Sequence, residues 1–196
     1  MMPGVGVTFR FNAVAHEYVD LGTGAILPHI TGMLERTGWV DSTWFSEESS
    51  IRGQAVHRLT ADYDLGALDV GTCQSRHRGY LLGHVKAMQI LRPEILAVEE
   101  PVVHPIYKFG GRPDRVLVVR GRKGVLEGKS GVEQRAHAVQ TALQAILVAA
   151  EFDLPPELLA RFALYLQDNG KFSLVEHKSP NDFAEAQRVI RVCCTQ

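Results

Sequence analysis

Apolar and polar positions along this chain alternate with two periods. Val116, Leu117, Val118 and Val119 form a short aliphatic run that reads as a buried strand. Arg120 to Gly124 are charged or turn-forming and read as a hairpin loop, after which Val125 and Leu126 restart a strand. Ile95 to Val103 reads as a further extended run, broken by Glu99, Glu100 and Pro101; a proline there suggests an edge strand or a bulge. Ile51, Ala55, Val56, Leu59 and Tyr63 recur at helical spacing and predict a helix over 46–63, with Asp41 and Ser42 offering capping chemistry upstream. Positions 136–152 are Ala- and Leu-rich and predict a long apolar helix after a connector at 131–134. A hairpin is predicted at 16–31 around Gly22-Thr23-Gly24, and a second at 162–175 around Asp168-Asn169-Gly170. Ser179 to Asp182 leads into a last helix ending near Val192. This order predicts an α/β protein, a mixed sheet with helices on both faces.

Side chains on one strand alternate faces, so Glu127 and Lys129 project from the same side. Folding the hairpin about Gly121 and Arg122 sets Asp114 opposite Glu127 or Gly128. Two carboxylates and an ammonium then converge at one end of the hairpin. Paired acidic side chains suit hard cations such as Mg²⁺ or Mn²⁺, and a neighbouring lysine can orient a water or neutralise phosphate charge. The alternative is a surface hairpin with exposed ion pairs, worth about 0–1 kcal/mol each.

The strings Pro113-Asp114 and Glu127-Gly128-Lys129 resemble the motif of the PD-(D/E)XK nuclease superfamily. Arg52-Gly53-Gln54-Ala55-Val56-His57, on a helix ahead of them, is similar to the RGxxxH signature of its RecB-like, phage-type exonuclease branch. The resemblance implies a restriction-endonuclease-like core with an N-terminal helical elaboration. It implies one nuclease domain over 1–196, with a core at about 50–175, a hairpin at 7–28 and a C-terminal helix at about 182–192. It implies metal ligands at His57, Asp114, Glu127 and the Gly128 carbonyl for one or two Mg²⁺ or Mn²⁺ ions. The catalytic set would be Asp114, Glu127, Lys129 and Gln140, and nucleic acid would meet Arg52, Arg112, Arg115 and Gln144. The family often has Q-x-x-x-Y on the long helix; here Gln140 is followed by Gln144 in place of the tyrosine. Glu99 is a further candidate by position. For His57 the alternative is a core histidine, for the two glutamines a solvated helix stripe, and for Glu99 an exposed acidic pair.

The implied activity is metal-dependent DNA exonuclease action on single-stranded or linear ends, in phage-type recombination, repair or DNA degradation. The rivals are a structure-specific endonuclease on the same fold and a catalytically silent nucleic-acid-binding accessory protein. A single-strand annealing or binding protein is the implied partner.

The 196 residues are 45% hydrophobic and 22% charged, ordinary for a globular domain. A net charge of −1 leaves clustering to decide about nucleic acid. Basic residues concentrate at Arg52, Arg58, Arg76, His77, Arg78, Lys86, Lys108, Arg112, Arg115, Arg120, Arg122, Lys123, Arg135 and His137. Trp39, Trp44 and Phe45, with Tyr107 and Phe109, are candidates either for stacking on bases or for packing. Three cysteines make no disulfide framework and cannot supply four thiolates, so no iron–sulfur cluster is expected. Cys193-Cys194 reads as a frayed tail. No run predicts a membrane span and no secretory leader is legible, so the expected location is the cytoplasm (of the host, if phage-encoded).

Overall fold

The computed structural model describes residues 8–40, 46–69 and 73–194. The chain opens with β1 (Phe9–Asn12), β2 (Glu17–Asp20) and β3 (Ile26–Leu27), a small antiparallel sheet. The helices α1 (Ile30–Arg36), α2 (Glu47–Asp64) and α3 (Arg78–Leu91) follow. Next come β4 (Glu94–Val98), β5 (Val102–Val103), β6 (Gly110–Gly111), β7 (Arg115–Val119) and β8 (Arg122–Lys129). The chain continues through α4 (Arg135–Phe152), β9 (Ala160–Leu166), β10 (Phe172–Glu176) and α5 (Pro180–Cys194).

Five strands form the central sheet in the order β10-β9-β8-β7-β4. Only β8 and β9 run parallel, and α4 is the crossover between them. β4 is an edge strand with a bulge between Ile95 and Ala97, and Pro101 falls between β4 and β5 where it interrupts no ladder. Every residue of β9 is buried, as expected of a strand covered on both faces.

Strand alternation divides the core. Val116 and Val125 pack with Ala145, Val148 and Ala149 of α4 on one face. Leu117 and Leu126 pack with Val56 of α2 and Tyr80 and Ala87 of α3 on the other. On the first face α4 is also covered by α1 and α5, through Ile30, Met33, Leu143, Leu147, Val189 and Ile190. The loop predicted over 120–124 tightens to two residues. Arg120 and Gly121 take φ of 51° and 77°, the paired positive values of a two-residue hairpin turn, so pairing begins at Arg122.

Three expectations need correction. Helix α2 is capped by Ser46, whose side chain accepts from the Ser49 N–H; Asp41 and Ser42 lie outside the described residues. Its buried positions are Val56, Thr60 and Ala61, whereas Ile51 and Tyr63 are exposed, so the predicted stripe is rotated. Cys193 and Cys194 are no frayed tail: they lie in α5 and pack against the α1–α4–α5 core.

Burial has a titratable consequence. His104 and His137 are pushed down to about 4, chiefly by desolvation. His16, His29, His77 and His177 are lowered for the same first cause. A histidine depressed in the fold contributes stability above its unfolded value near 6.5, and loses it as pH falls toward the folded value. His57 shifts upward, so its contribution is already complete below 6.5 and does not offset this loss. Thermal melts from pH 7 to 5 are expected to show falling stability, by roughly 2 kcal/mol for each of His104 and His137 at pH 5. A flat profile would show that these rings are solvated.

Candidate active site

The β7–β8 hairpin builds the site. Arg115 pairs with Leu126, so Asp114 stands beside Glu127 at the end of the sheet remote from the turn. Asp114, Glu127 and Lys129 share the face toward α4 with Val116 and Val125. Asp114 Oδ2 accepts the Gly128 N–H at 2.7 Å. A Cβ at position 128 would come within 3.3 Å of that oxygen, so a glycine in the middle of the Glu-x-Lys string lets the carboxylate sit against the strand. Gly128→Ala is expected to displace Asp114 by a few tenths of an ångström and to weaken divalent-cation affinity about tenfold. Calorimetric titration with Mn²⁺ measures it; unchanged affinity would mean that Asp114 has room to move.

Glu127 is 5% exposed, and both its oxygens are engaged. Oε1 accepts from Lys129 Nζ at 2.9 Å and from Gln140 Nε2 at 2.7 Å. Oε2 accepts from Gln144 Nε2 at 2.7 Å. Lys129 Nζ also donates to Gln140 Oε1 at 2.9 Å, which closes a ring of three side chains. The i, i+4 spacing of the glutamines on α4 aims both at one carboxylate. Glu127 thereby becomes the anchor that orients Lys129.

Helix α2 approaches from the other side with His57, whose Nδ1 lies 3.0 Å from Asp114 Oδ1. Glu99 follows β4 in a left-handed conformation, φ 52°. Its N–H donates to the Asp114 carbonyl at 3.0 Å, and its Oε1 is 3.7 Å from His57 Nδ1. His57, Glu99 and Asp114 each offer a ligand atom, all within 4.8 Å of one another. Two carboxylates and an imidazole are a donor set suited to a divalent cation. The Asp114 carboxylate, against the opposing effect of burial, holds the His57 imidazole well above its ordinary value; Glu99 and Glu127 add to the effect. The proton on His57 thus neutralises part of the charge that a cation would otherwise balance. Glu127 is not in this trio, but it lines the same cavity, as do Gln140 and Gln144. The Gly128 contact that the structure gives is through its N–H.

The cavity encloses about 990 Å³ and is bounded by α2, the β1–β2 turn, α1, the residues before β7, and α4. Arg58 and Arg112 reach its wall. Arg112 is also paired with Glu99 at 2.9 Å and sits over the Phe11 ring. Arg52 does not line the cavity, and its Nε is buried without a hydrogen-bond partner among the described residues.

Solved structures share this arrangement of elements. A presumed exonuclease from Eubacterium rectale is similar over 85% of this chain and 77% of its own, with 10% identity and a TM-score of 0.51. The chain shares the fold of that protein. LHK-Exo, solved in complex with dAMP, is similar over 85% of each chain at 13% identity and a TM-score of 0.44. No family model matches the chain, and no curated protein matches it.

Several expected nucleic-acid contacts lie elsewhere than the sequence suggests. Arg115 is 1% exposed and points to the face opposite Asp114, where its Nε meets Asp64; it cannot reach a phosphate. Gln144 is 2% exposed, lines the cavity and donates from Nε2 to Glu127, so it orders that carboxylate. Arg122 pairs with Glu176 and Lys123 lies over Phe152, both at the turn end of the hairpin. Phe109 is fully buried, Tyr107 packs on His104, and Trp39 packs against the core beneath Arg135. Trp44 and Phe45 lie outside the described residues. His16 lines the cavity from the β1–β2 turn, a placement that sequence reading missed because it depends on how the small sheet docks. Among the described residues no helix is long and apolar enough to cross a membrane.

Proposed function

We propose that this chain is a metal-dependent nuclease, acting as one catalytic domain, that hydrolyses phosphodiester bonds at linear DNA ends. The observation that carries the reading is the convergence at one end of the β7–β8 hairpin of the His57–Glu99–Asp114 trio with the Glu127–Gln140–Lys129 ring, the trio, Glu127 and Gln140 lining one cavity. His57, Glu99 and Asp114 would hold Mg²⁺ or Mn²⁺, with Glu127 beside them in the same cavity. Such an ion, when bound, lowers the pKa of a water and stabilises charge on phosphate oxygens.

The chain's own residues do the rest. Glu127 and Gln140 fix Lys129 Nζ at 2.9 Å each, so the ammonium is oriented before substrate arrives. Placed there, it directs an attacking water and offsets charge developing on the phosphate. Gln144 holds the second oxygen of Glu127 and keeps that carboxylate from rotating. Arg58 and Arg112 at the wall supply contacts to the backbone of the strand, which carry sequence-independent affinity. Arg58→Ala is expected to weaken DNA binding and to reduce the slope of log affinity against log salt by about one. Fluorescence anisotropy over a salt series reads this; an unchanged slope would remove Arg58 from the phosphate contacts.

The deciding experiment uses linear single strands labelled at the 5′ or 3′ end, the corresponding duplex, and a closed circle. Each is incubated with Mg²⁺, Mn²⁺ or EDTA, with Lys129→Ala as control. Loss of linear DNA that needs metal, spares the circle and vanishes in the variant is expected. A cut circle would make the enzyme an endonuclease. Binding without cleavage would overturn the catalytic reading.

A further inference from the structure

Three ionisable side chains meet in the core on the face of the sheet opposite Lys129. Asp64 is the last residue of α2, His84 lies in α3 and Arg115 opens β7. Their side chains are only 2%, 3% and 2% exposed, and none lines the cavity. His84 Nε2 lies 3.0 Å and 2.9 Å from the two Asp64 oxygens, and Arg115 Nε bonds Asp64 Oδ2. The connection then continues through the sheet. Arg115 Nη1 donates at 2.7 Å to the Asp114 carbonyl, the same oxygen that accepts the Glu99 N–H.

A buried ion pair of this kind is a poor source of stability, because desolvation of the charges offsets most of their attraction; apolar side chains would hold the helices as well. What apolar packing does not give is register. His57 precedes Asp64 by about two helical turns, roughly 10 Å along α2. A slide of α2 that broke the Asp64–Arg115 bond would also pull His57 from its 3.0 Å contact with Asp114. The same guanidinium fixes the backbone oxygen on which Glu99 is hung. We infer that the Asp64–His84–Arg115 triad is a positioning assembly that sets the separations of His57, Glu99 and Asp114 and thereby tunes cation affinity at a distance. The inference rests on the reading of that trio as a divalent-cation site.

The test titrates the purified full chain with Mn²⁺ and follows the free ion by electron paramagnetic resonance, with circular dichroism and thermal melts as fold controls. Two variants are compared with the wild type. Asp64→Asn keeps the shape and removes the charge. A triple change, Asp64→Leu with His84→Leu and Arg115→Met, removes every charge of the assembly and leaves none unpaired, so it keeps the test alive if the single variant does not fold. Both are expected to bind Mn²⁺ about ten- to a hundredfold more weakly. Cleavage at saturating Mn²⁺ should return to within about threefold of wild type, since the catalytic groups are intact. A merely structural role would lower activity equally at all Mn²⁺ concentrations. Wild-type affinity in a folded variant would overturn the inference while the cation reading stands. Failure of the triple variant to fold would overturn it too, because the triad would then hold the fold rather than the ligands. If the wild type itself takes up no Mn²⁺, it is the cation reading that fails.

Discussion

Asp114→Asn is expected to abolish measurable divalent-cation binding and to reduce metal-dependent DNA cleavage by about a thousandfold or more. The magnitude follows from how much meets at this carboxylate. Oδ1 faces His57 at 3.0 Å, Oδ2 faces the Gly128 N–H at 2.7 Å, and the group belongs to the only metal-competent trio among the described residues. The amide keeps the shape and can still accept from Gly128, so the hairpin should persist and circular dichroism should be unchanged. What it removes is the negative charge, which both attracts a cation and is the first cause of the raised His57 pKa. Two measurements check this: calorimetric titration with Mn²⁺ and turnover of end-labelled DNA. Activity within tenfold of wild type would place the cation elsewhere in the cavity, and Glu99 or Glu127 would then have to carry it. Lys129→Ala is distinguishable. It leaves the trio intact, so it should lose cleavage and keep Mn²⁺ binding.

Gly79→Ala reverses the usual sign of a helix substitution. Alanine in place of glycine inside a helix normally stabilises by about 1 kcal/mol. Gly79 lies in the first turn of α3, where the β9–β10 turn crosses it; a Cβ built at 79 would overlap the backbone carbonyl of Asp168. Backbone cannot rotate away as a side chain can, so α3 or the turn must shift. The strain is expected to cost about 3 kcal/mol, the upper part of the range for overpacking. For a chain of this size that lowers the melting temperature by roughly 6–12 °C. Because α3 also carries His84, cation affinity should fall with stability. A melting temperature equal to wild type would show that α3 and the turn are less closely docked than described. Arg78→Ala, one residue earlier at an exposed position, is the control and should change little.

Much of the site was legible in the sequence because strands enforce simple rules. Alternation placed Glu127 and Lys129 on one side. The two-residue turn at Arg120 and Gly121 is what sets Asp114 beside Glu127, since a five-residue loop over 120–124 would have set it opposite Ser130. Helical spacing put Gln140 and Gln144 on one face of α4. Glu99 entered only as a candidate by position. Its place beside His57 depends on a left-handed residue at the exit of β4, which no periodicity announces.

The same alternation, carried one residue further, would have removed Arg115 from the nucleic-acid surface. Its neighbour Asp114 faces α4, so Arg115 must face α2 and α3, and the core there takes it only because Asp64 meets it. Asp64 and His84 gave no signal by themselves. One sits at the end of a helix, where acids are common, and the other lies among Tyr80, Leu81 and Ala87, which read simply as a buried stripe.

The sequence by itself determined the central hairpin, the long helix and the shared face of Glu127 and Lys129. These rest on interactions between residues near in the chain, or on a pleat of fixed period. Only the tertiary structure decided that Gln144 serves Glu127, that Glu99 completes the His57–Asp114 pair, and that Arg115 turns inward to Asp64. Those contacts join elements far apart in sequence, and their geometry is set by how helices dock on the two faces of the sheet.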